Sequence, residues 1–277
     1  MKAKRVSKVI LYIVLTIMAL YTLSPLAFLL INSFKTQPEI VSAPLALPSS
    51  WDFSHLTSAA EEINFWKALG ITALVTLVSV VLLVVVSSLS AWVMVRNRSR
   101  FSNILLLMFT AAMLVPFQAV MYPLISLMEN LQLKNLVGLI IMYGGFGLSL
   151  SVFLYHGFIK SVPRSVEEAA VIDGCNIFQL FFKVVFPLLK STTVTVIILN
   201  AMWIWNDYLL PFLVIGNSNF KTLTLEIYYA KMLAGQYGNP WELIFPAVLV
   251  SIIPIVIVFL SLQKYFVKGV SDGAVKM

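Results

Sequence analysis

Ionisable and amide side chains are scarce in this chain, and those able to do chemistry gather in a few places. The densest runs from Pro163 to Pro187, where Arg164, Ser165, Glu167, Glu168, Asp173, Asn176, Gln179 and Lys183 lie between two long apolar segments. Ser165 stands three residues before Glu168, so a capping box is expected to open a helix there, with both glutamates in the first turn, where the macrodipole favours negative charge. Gly174 supplies the stop. A second amphipathic segment sets Ile177, Leu180, Phe181 and Val184 at helical spacing until Pro187 interrupts it. The pattern predicts two short helices outside a membrane, serving either as a well-capped surface loop or as a docking site for another protein.

A second polar group is Asn200, Trp203, Trp205, Asn206, Asp207 and Tyr208, inside an otherwise apolar segment. A carboxylate within or near a membrane span marks either a solute path or a helix-to-helix or interfacial anchor. Asn200, Asn206 and Asp207 are the candidate path residues. The run Gly235-Gln236-Tyr237-Gly238-Asn239-Pro240 makes a polar loop tip able to meet a sugar or a protein, or an ordinary turn. Arg96, Arg98 and Arg100 crowd a short turn and are expected to anchor it among lipid headgroups.

Other chemistries find no footing. None of the 12 glycines is followed by lysine, so there is no phosphate loop and no expected ATP hydrolysis by this chain. His55 and His156 have no ligand-spaced neighbours, which argues against a metal, and no serine, histidine and acid constellation is present. The single Cys175 forms no internal disulfide and reads as a small packing residue. A formal charge of +7 would hint at nucleic acid in a soluble protein. Here the basic residues are dispersed between apolar spans, the pattern that orients membrane helices, and nucleic-acid binding is set aside.

The elements that must position these residues follow from composition. Hydrophobic residues make up 60% of the 277, only 11% are charged and mean hydropathy is +0.94, which places the chain among integral membrane proteins. Six apolar segments are long enough to cross a hydrocarbon core of about 30 Å: Val9 to Ile31, Trp66 to Val95, Phe101 to Leu127, Leu136 to Ile159, Leu188 to Ile215 and Trp241 to Leu262. The first is too long for a signal-peptide core and no small-residue cleavage site follows it, so it reads as a retained helix. With a cytoplasmic amino terminus, Lys2, Lys4, Arg5, Lys8, Arg96, Arg98, Arg100, Lys160, Arg164, Lys183, Lys190, Lys264, Lys268 and Lys276 face inward, leaving five of the 19 basic residues outside. That asymmetry places both termini and the Glu168 stretch in the cytoplasm. Pro116 and Pro123 in the third segment and Pro246 and Pro254 in the sixth point to helices packed within a bundle or lining a path. Gly138, Gly144, Gly145, Gly147, Ser149 and Ser151 in the fourth allow close helix approach.

Glu168-Ala169-Ala170, Gly174, Val184 and Phe186-Pro187 resemble the cytoplasmic signature of the membrane subunits of binding-protein-dependent ABC importers. In that signature a Glu-Ala-Ala run is followed by a glycine and closes on isoleucine, any residue, leucine and proline. Val184 and Phe186 replace the isoleucine and leucine and keep their apolar character. Trp205-Asn206-Asp207-Tyr208-Leu209-Leu210-Pro211 is similar to the fifth span of carbohydrate-importing members. Gly273-Ala274-Val275-Lys276 resembles the ending of their smaller permease, a tail that in the maltose-type relatives reaches the ATPase interface.

The resemblance implies an all-α fold: one polytopic permease domain over residues 1–277, with six transmembrane helices and a cytoplasmic coupling segment at 160–187. It implies that Glu168, Ala169, Ala170, Asp173, Gly174 and Pro187 dock an ATPase, and that the loop holding Gln236, Tyr237, Gly238 and Asn239 meets an extracytoplasmic sugar-binding protein. It further implies a second permease subunit, an ATPase dimer that alone binds ATP and Mg, no cofactor in this chain, and a place among the lipids of a prokaryotic cell membrane. The cargo would be a sugar or oligosaccharide. An importer for another solute, or a carrier or scaffold independent of ATP, remains the alternative.

Overall fold

The computed structural model describes residues 2–216, 218–234 and 239–274, and among them every regular element is helical. It divides into two compact units, one of residues 1–66 and 226–253 and the other of residues 67–225 and 254–277.

The first unit is led by α1 (Lys2–Asn32), which is apolar on all sides and carries Pro25 in its interior. Its side chains from Val9 to Leu26 are exposed almost throughout. The segment after it contains α2 (Gln37–Ser42) and α3 (Ser54–Glu62). Lys35 is buried there because its ammonium has acceptors: Asn32 Oδ1 at 3.2 Å and the carbonyls of Ala43 at 3.0 Å and Pro44 at 3.3 Å. Glu39 accepts from the Thr36 amide at 2.9 Å and from the Ser49 hydroxyl. These hydrogen bonds hold its carboxyl below the usual range, that from Ser49 foremost. Phe28 meets Phe245 edge-on at 5.6 Å, and Phe245 stacks on Trp241.

The second unit is built on α4 (Phe65–Arg96), α5 (Arg100–Ala112), α6 (Phe117–Asn130), α7 (Leu136–Ile159), α8 (Arg164–Ile172), α9 (Ile177–Leu188), α10 (Lys190–Asn206) and α11 (Leu209–Ile215). The helices α12 (Leu223–Ala234) and α13 (Trp241–Ala274) complete the chain. The centre of the second unit is close-packed around α7. A Cβ on Gly147 would stand 2.6 Å from Leu83 Cδ1 and 2.7 Å from Asn200 Oδ1, and one on Gly144 would stand 2.9 Å from Leu82. Glycine is what lets α4 and α10 approach α7. Gly145 faces open space and has no such role.

Among the described residues, four helices are individually long and apolar enough to cross a membrane: α1 from Lys8, α4, α7 and α13 as far as Ser261. The count reaches six only if two bent pairs are each taken as one span. The third expected span is not continuous, since α5 and α6 meet at 105°. Pro116, extended at ψ 141°, is the cause: it offers no amide to the preceding turn and disfavours helix in the residue before it. The fifth begins at one break and is interrupted by a second. A 78° bend at Leu189 separates α9 from α10, and an extended Asp207 separates α10 from α11.

Candidate functional site

The helix α8 begins differently from the expected capping box. Pro163 is its N-cap, extended and without a side-chain cap, which puts Ser165 and Glu168 inside the first turns. Proline cannot continue a helix backwards, and its fixed φ of −61° suits the entry. The stop is as expected. Gly174 sits at φ +85°, the Cys175 amide donates to Ala170 O at 3.0 Å and the Gly174 amide to Val171 O at 3.0 Å. This pairing is a Schellman closure, and its left-handed residue is almost free of strain only as glycine.

Glu167, the carboxylate beside the one singled out in the sequence, carries the contacts. It and Ala170 are the buried residues of α8. Glu167 Oε1 lies 2.7 Å from Arg96 Nη2 and accepts from Arg96 Nε at 2.8 Å, while Oε2 accepts from Trp92 Nε1 at 3.1 Å. Arg96 Nη2 also donates to Val162 O at 3.0 Å, and Arg164 Nη2 donates back to Arg96 O at 3.2 Å. Both sides of the turn into α8 are thereby fastened to the last turn of α4. At about 1.5 Å per residue α4 extends about 48 Å, more than a hydrocarbon core of about 30 Å requires, so its end can carry Trp92 and Arg96 into the polar zone. One signal of this was available: a tryptophan and an arginine four residues apart, closing a long apolar run.

Beyond Gly174, Asn176 and Gln179 form the reciprocal cap of α9. Residues Leu180–Val185 then widen into a π turn. Such a turn absorbs the missing amide of Pro187, which a regular helix could not. Phe181 from this turn is buried against Trp92, ring centroids 5.2 Å apart. The ends of α4, α8 and α9 therefore form one block, with a cleft of about 470 Å³ lined by Trp92, Arg96, Asn97, Val171, Cys175 and Leu180 among others. Of the docking candidates, Glu168, Ala169, Asp173, Gly174 and Pro187 are exposed and Ala170 is buried. Ile172, one turn beyond Glu168 on α8, is 85% exposed, and Phe178 on α9 is 72% exposed.

The path candidates do not form one cluster. Asn200 is buried, and its amide donates to Ser151 Oγ on α7 at 3.0 Å and to Val196 O at 2.8 Å. Asn206 is exposed and donates to Met202 O. Asp207 ties the helix break together. Its Oδ2 accepts from the Tyr143 hydroxyl at 3.0 Å, its Oδ1 from the Leu209 amide at 2.9 Å, and its carbonyl from Thr224 Oγ1 at 2.7 Å. Tyr143 in turn packs edge-on to Trp203. The loop candidates Gln236, Tyr237 and Gly238 lie outside the described residues, as do Val275 and Lys276 of the tail. The Asn239 carbonyl accepts from Gln37 Nε2 at 2.8 Å, and Glu242 Oε2 accepts from the Gln37 amide at 3.0 Å.

Residues 83–272 match the family described as binding-protein-dependent transport system inner membrane component. The chain is 39% identical over 276 residues to a protein of Thermoanaerobacterium thermosulfurigenes named as a probable starch degradation products transport system permease, AmyC, covering 100% of both. It is 36% identical to the multiple sugar-binding transport system permease MsmG of Streptococcus mutans, over 96% of each chain. The melibiose/raffinose/stachyose import permease MelC of Bacillus subtilis is 32% identical over 91% of each. Among solved structures, a chain from a bacterial ABC transporter involved in import of the acidic polysaccharide alginate superposes with a TM-score of 0.79. It is 24% identical, with 96% of this chain and 98% of that chain covered, a likeness of fold.

Proposed function

The chain belongs to the family of binding-protein-dependent transport system inner membrane components, the membrane permeases of ABC importers, and from that premise we propose that it is the smaller permease of an importer for sugars or oligosaccharides. The observation that carries the choice of cargo is the end-to-end match to a permease named for starch degradation products. In this reading the chain forms half of the translocation pathway and a second permease forms the other half. An ATPase dimer binds ATP and Mg, and an extracytoplasmic binding protein delivers the sugar. It crosses a prokaryotic cell membrane six times, with α5–α6 making one bent crossing, α10–α11 making the fifth beyond a cytoplasmic α9, and both termini in the cytoplasm, as the basic residues favour.

The helix α8 is the coupling element. Exposed Glu168, Ala169, Ile172 and Phe178 present apolar side chains and one charge to the ATPase. Glu167 faces the other way and passes displacement of α8 to α4 through Arg96 and Trp92. Movement of the ATPase pair on ATP would then shift the permease between inward- and outward-facing populations, to the extent that ATP and the loaded binding protein prefer different states.

The test is co-purification. The tagged native chain is expected to bring down an ATPase and a second permease, and a Glu168→Lys, Gly174→Trp variant is expected to keep the permease and lose the ATPase. A native chain that purifies alone under conditions preserving other membrane complexes would contradict the proposal.

A further inference from the structure

The arginines of the α4–α5 turn separate in space. Arg96 is spent on Glu167, whereas Arg98 lines a different pocket, of about 430 Å³, where the ends of α4 and α7 meet the start of α5. The turn is firmly built. Ser99 caps α5 by accepting from the Ser102 amide at 3.1 Å, and Ser102 Oγ donates to Asn97 O at 2.6 Å. Lys160, the residue that ends α7, lines the pocket with Arg98, as do His156 and Asn103. No carboxylate is among the lining residues. Neither Arg98 nor Lys160 has an ion-pair partner among the described residues. Two cations share one recess that has no carboxylate in its lining, with the positive end of α5 set against the partial negative ends of α4 and α7.

The other lining is apolar, including Met94 and Leu106. On the side of α5 that carries Asn103 and Leu106, Leu107 is also exposed, at 68%. A free phosphate uses the cations and leaves this apolar surface idle. A phosphodiester carrying acyl chains uses both, and basic recesses between membrane helices suit such headgroups. We propose that this pocket binds the phosphodiester headgroup of an anionic glycerophospholipid at Arg98 and Lys160, with an acyl chain against Leu106 and Leu107 of α5.

The test is native mass spectrometry of the assembled, delipidated importer titrated with phosphatidylglycerol or phosphatidylcholine. One phosphatidylglycerol is expected to bind at least tenfold more tightly than phosphatidylcholine. The Arg98→Ala, Lys160→Ala variant is expected to lose about 30-fold in affinity for it, from the usual contribution of two basic residues near an anionic lipid surface. A Lys8→Ala, Lys183→Ala variant, which removes the same charge elsewhere, is expected to bind as the native importer does. Should the first variant fail to assemble, Arg98→Gln and Lys160→Gln taken singly are each expected to lose about fivefold. Equal affinity in the pocket variants and the charge-matched control overturns the proposal. So does inorganic phosphate that displaces the lipid as well as short-chain phosphatidylglycerol does, which assigns the recess to a free phosphate. An importer with no bound lipid in which the second permease covers Arg98 also overturns it, and makes the recess a subunit contact.

Discussion

Arg96 at the end of α4 and Glu167 on α8, 71 residues apart in sequence, meet at 2.7 Å with most of both side chains buried. Removing one member of such a pair leaves an uncompensated charge and costs about 3 kcal/mol in well-buried cases. Glu167→Gln is therefore expected to loosen α8 from α4 while leaving Glu168 on its exposed face. The expected result is ATP hydrolysis retained while transport per ATP falls by tenfold or more, measured in proteoliposomes. The exchange Arg96→Glu, Glu167→Arg is expected to restore part of the coupling.

Gly174 has open space around the position of a Cβ, so any cost of substitution is one of backbone. Its φ of +85° penalises an ordinary L-residue by about 1–2 kcal/mol, and asparagine by less. Retention of the ATPase on washing should follow the order glycine, asparagine, alanine, with valine last. An alanine variant that retains as much as glycine would separate the turn from docking.

Gly147 and Gly145 make a matched pair. Alanine at Gly147 would press on Leu83 and on the Asn200 amide, whereas alanine at Gly145 would meet nothing within 4 Å. Overpacking costs about 1–3 kcal/mol, so the melting temperature in detergent should fall for Gly147→Ala and stay within error for Gly145→Ala.

Tyr143 and Asp207 are joined by a hydrogen bond of 3.0 Å across the α10–α11 break. Bonds to charged groups contribute about 1.5–3 kcal/mol, less where the carboxylate keeps another donor, here the Leu209 amide. Tyr143→Phe is expected to cost about 1 kcal/mol and Asp207→Asn more, with a double-mutant cycle showing strong coupling between them.

Much of this was legible in the sequence because it depends on local rules. The helix Leu136–Ile159 coincides with its apolar run, and the glycine stop at Gly174 stands where its spacing placed it. The bends were not legible. Pro116 announces a disturbance, but whether a proline kinks a span or turns it by 105° depends on what packs against it. The expected capping box is not formed because Ser165 and Glu168 satisfy its pattern equally well inside a helix opened by Pro163. The roles of Glu167 and Glu168 are decided by which of them faces Arg96, a contact between distant segments that neighbouring residues do not encode. The same holds for Arg96 and Arg98, which read alike as headgroup anchors and end apart, one paired with a carboxylate and one lining a separate basic recess.

In the proposed function, transport through this chain is driven by ATP. Its most direct test is uptake of labelled starch oligosaccharides by proteoliposomes holding the chain with its co-purified permease, ATPase and binding protein, with ATP enclosed or absent. Accumulation that requires both ATP and the binding protein, and that fails with Glu168→Lys, Gly174→Trp, is the predicted result. Uptake by the chain alone without ATP, or a variant that transports normally at normal protein levels, would contradict it.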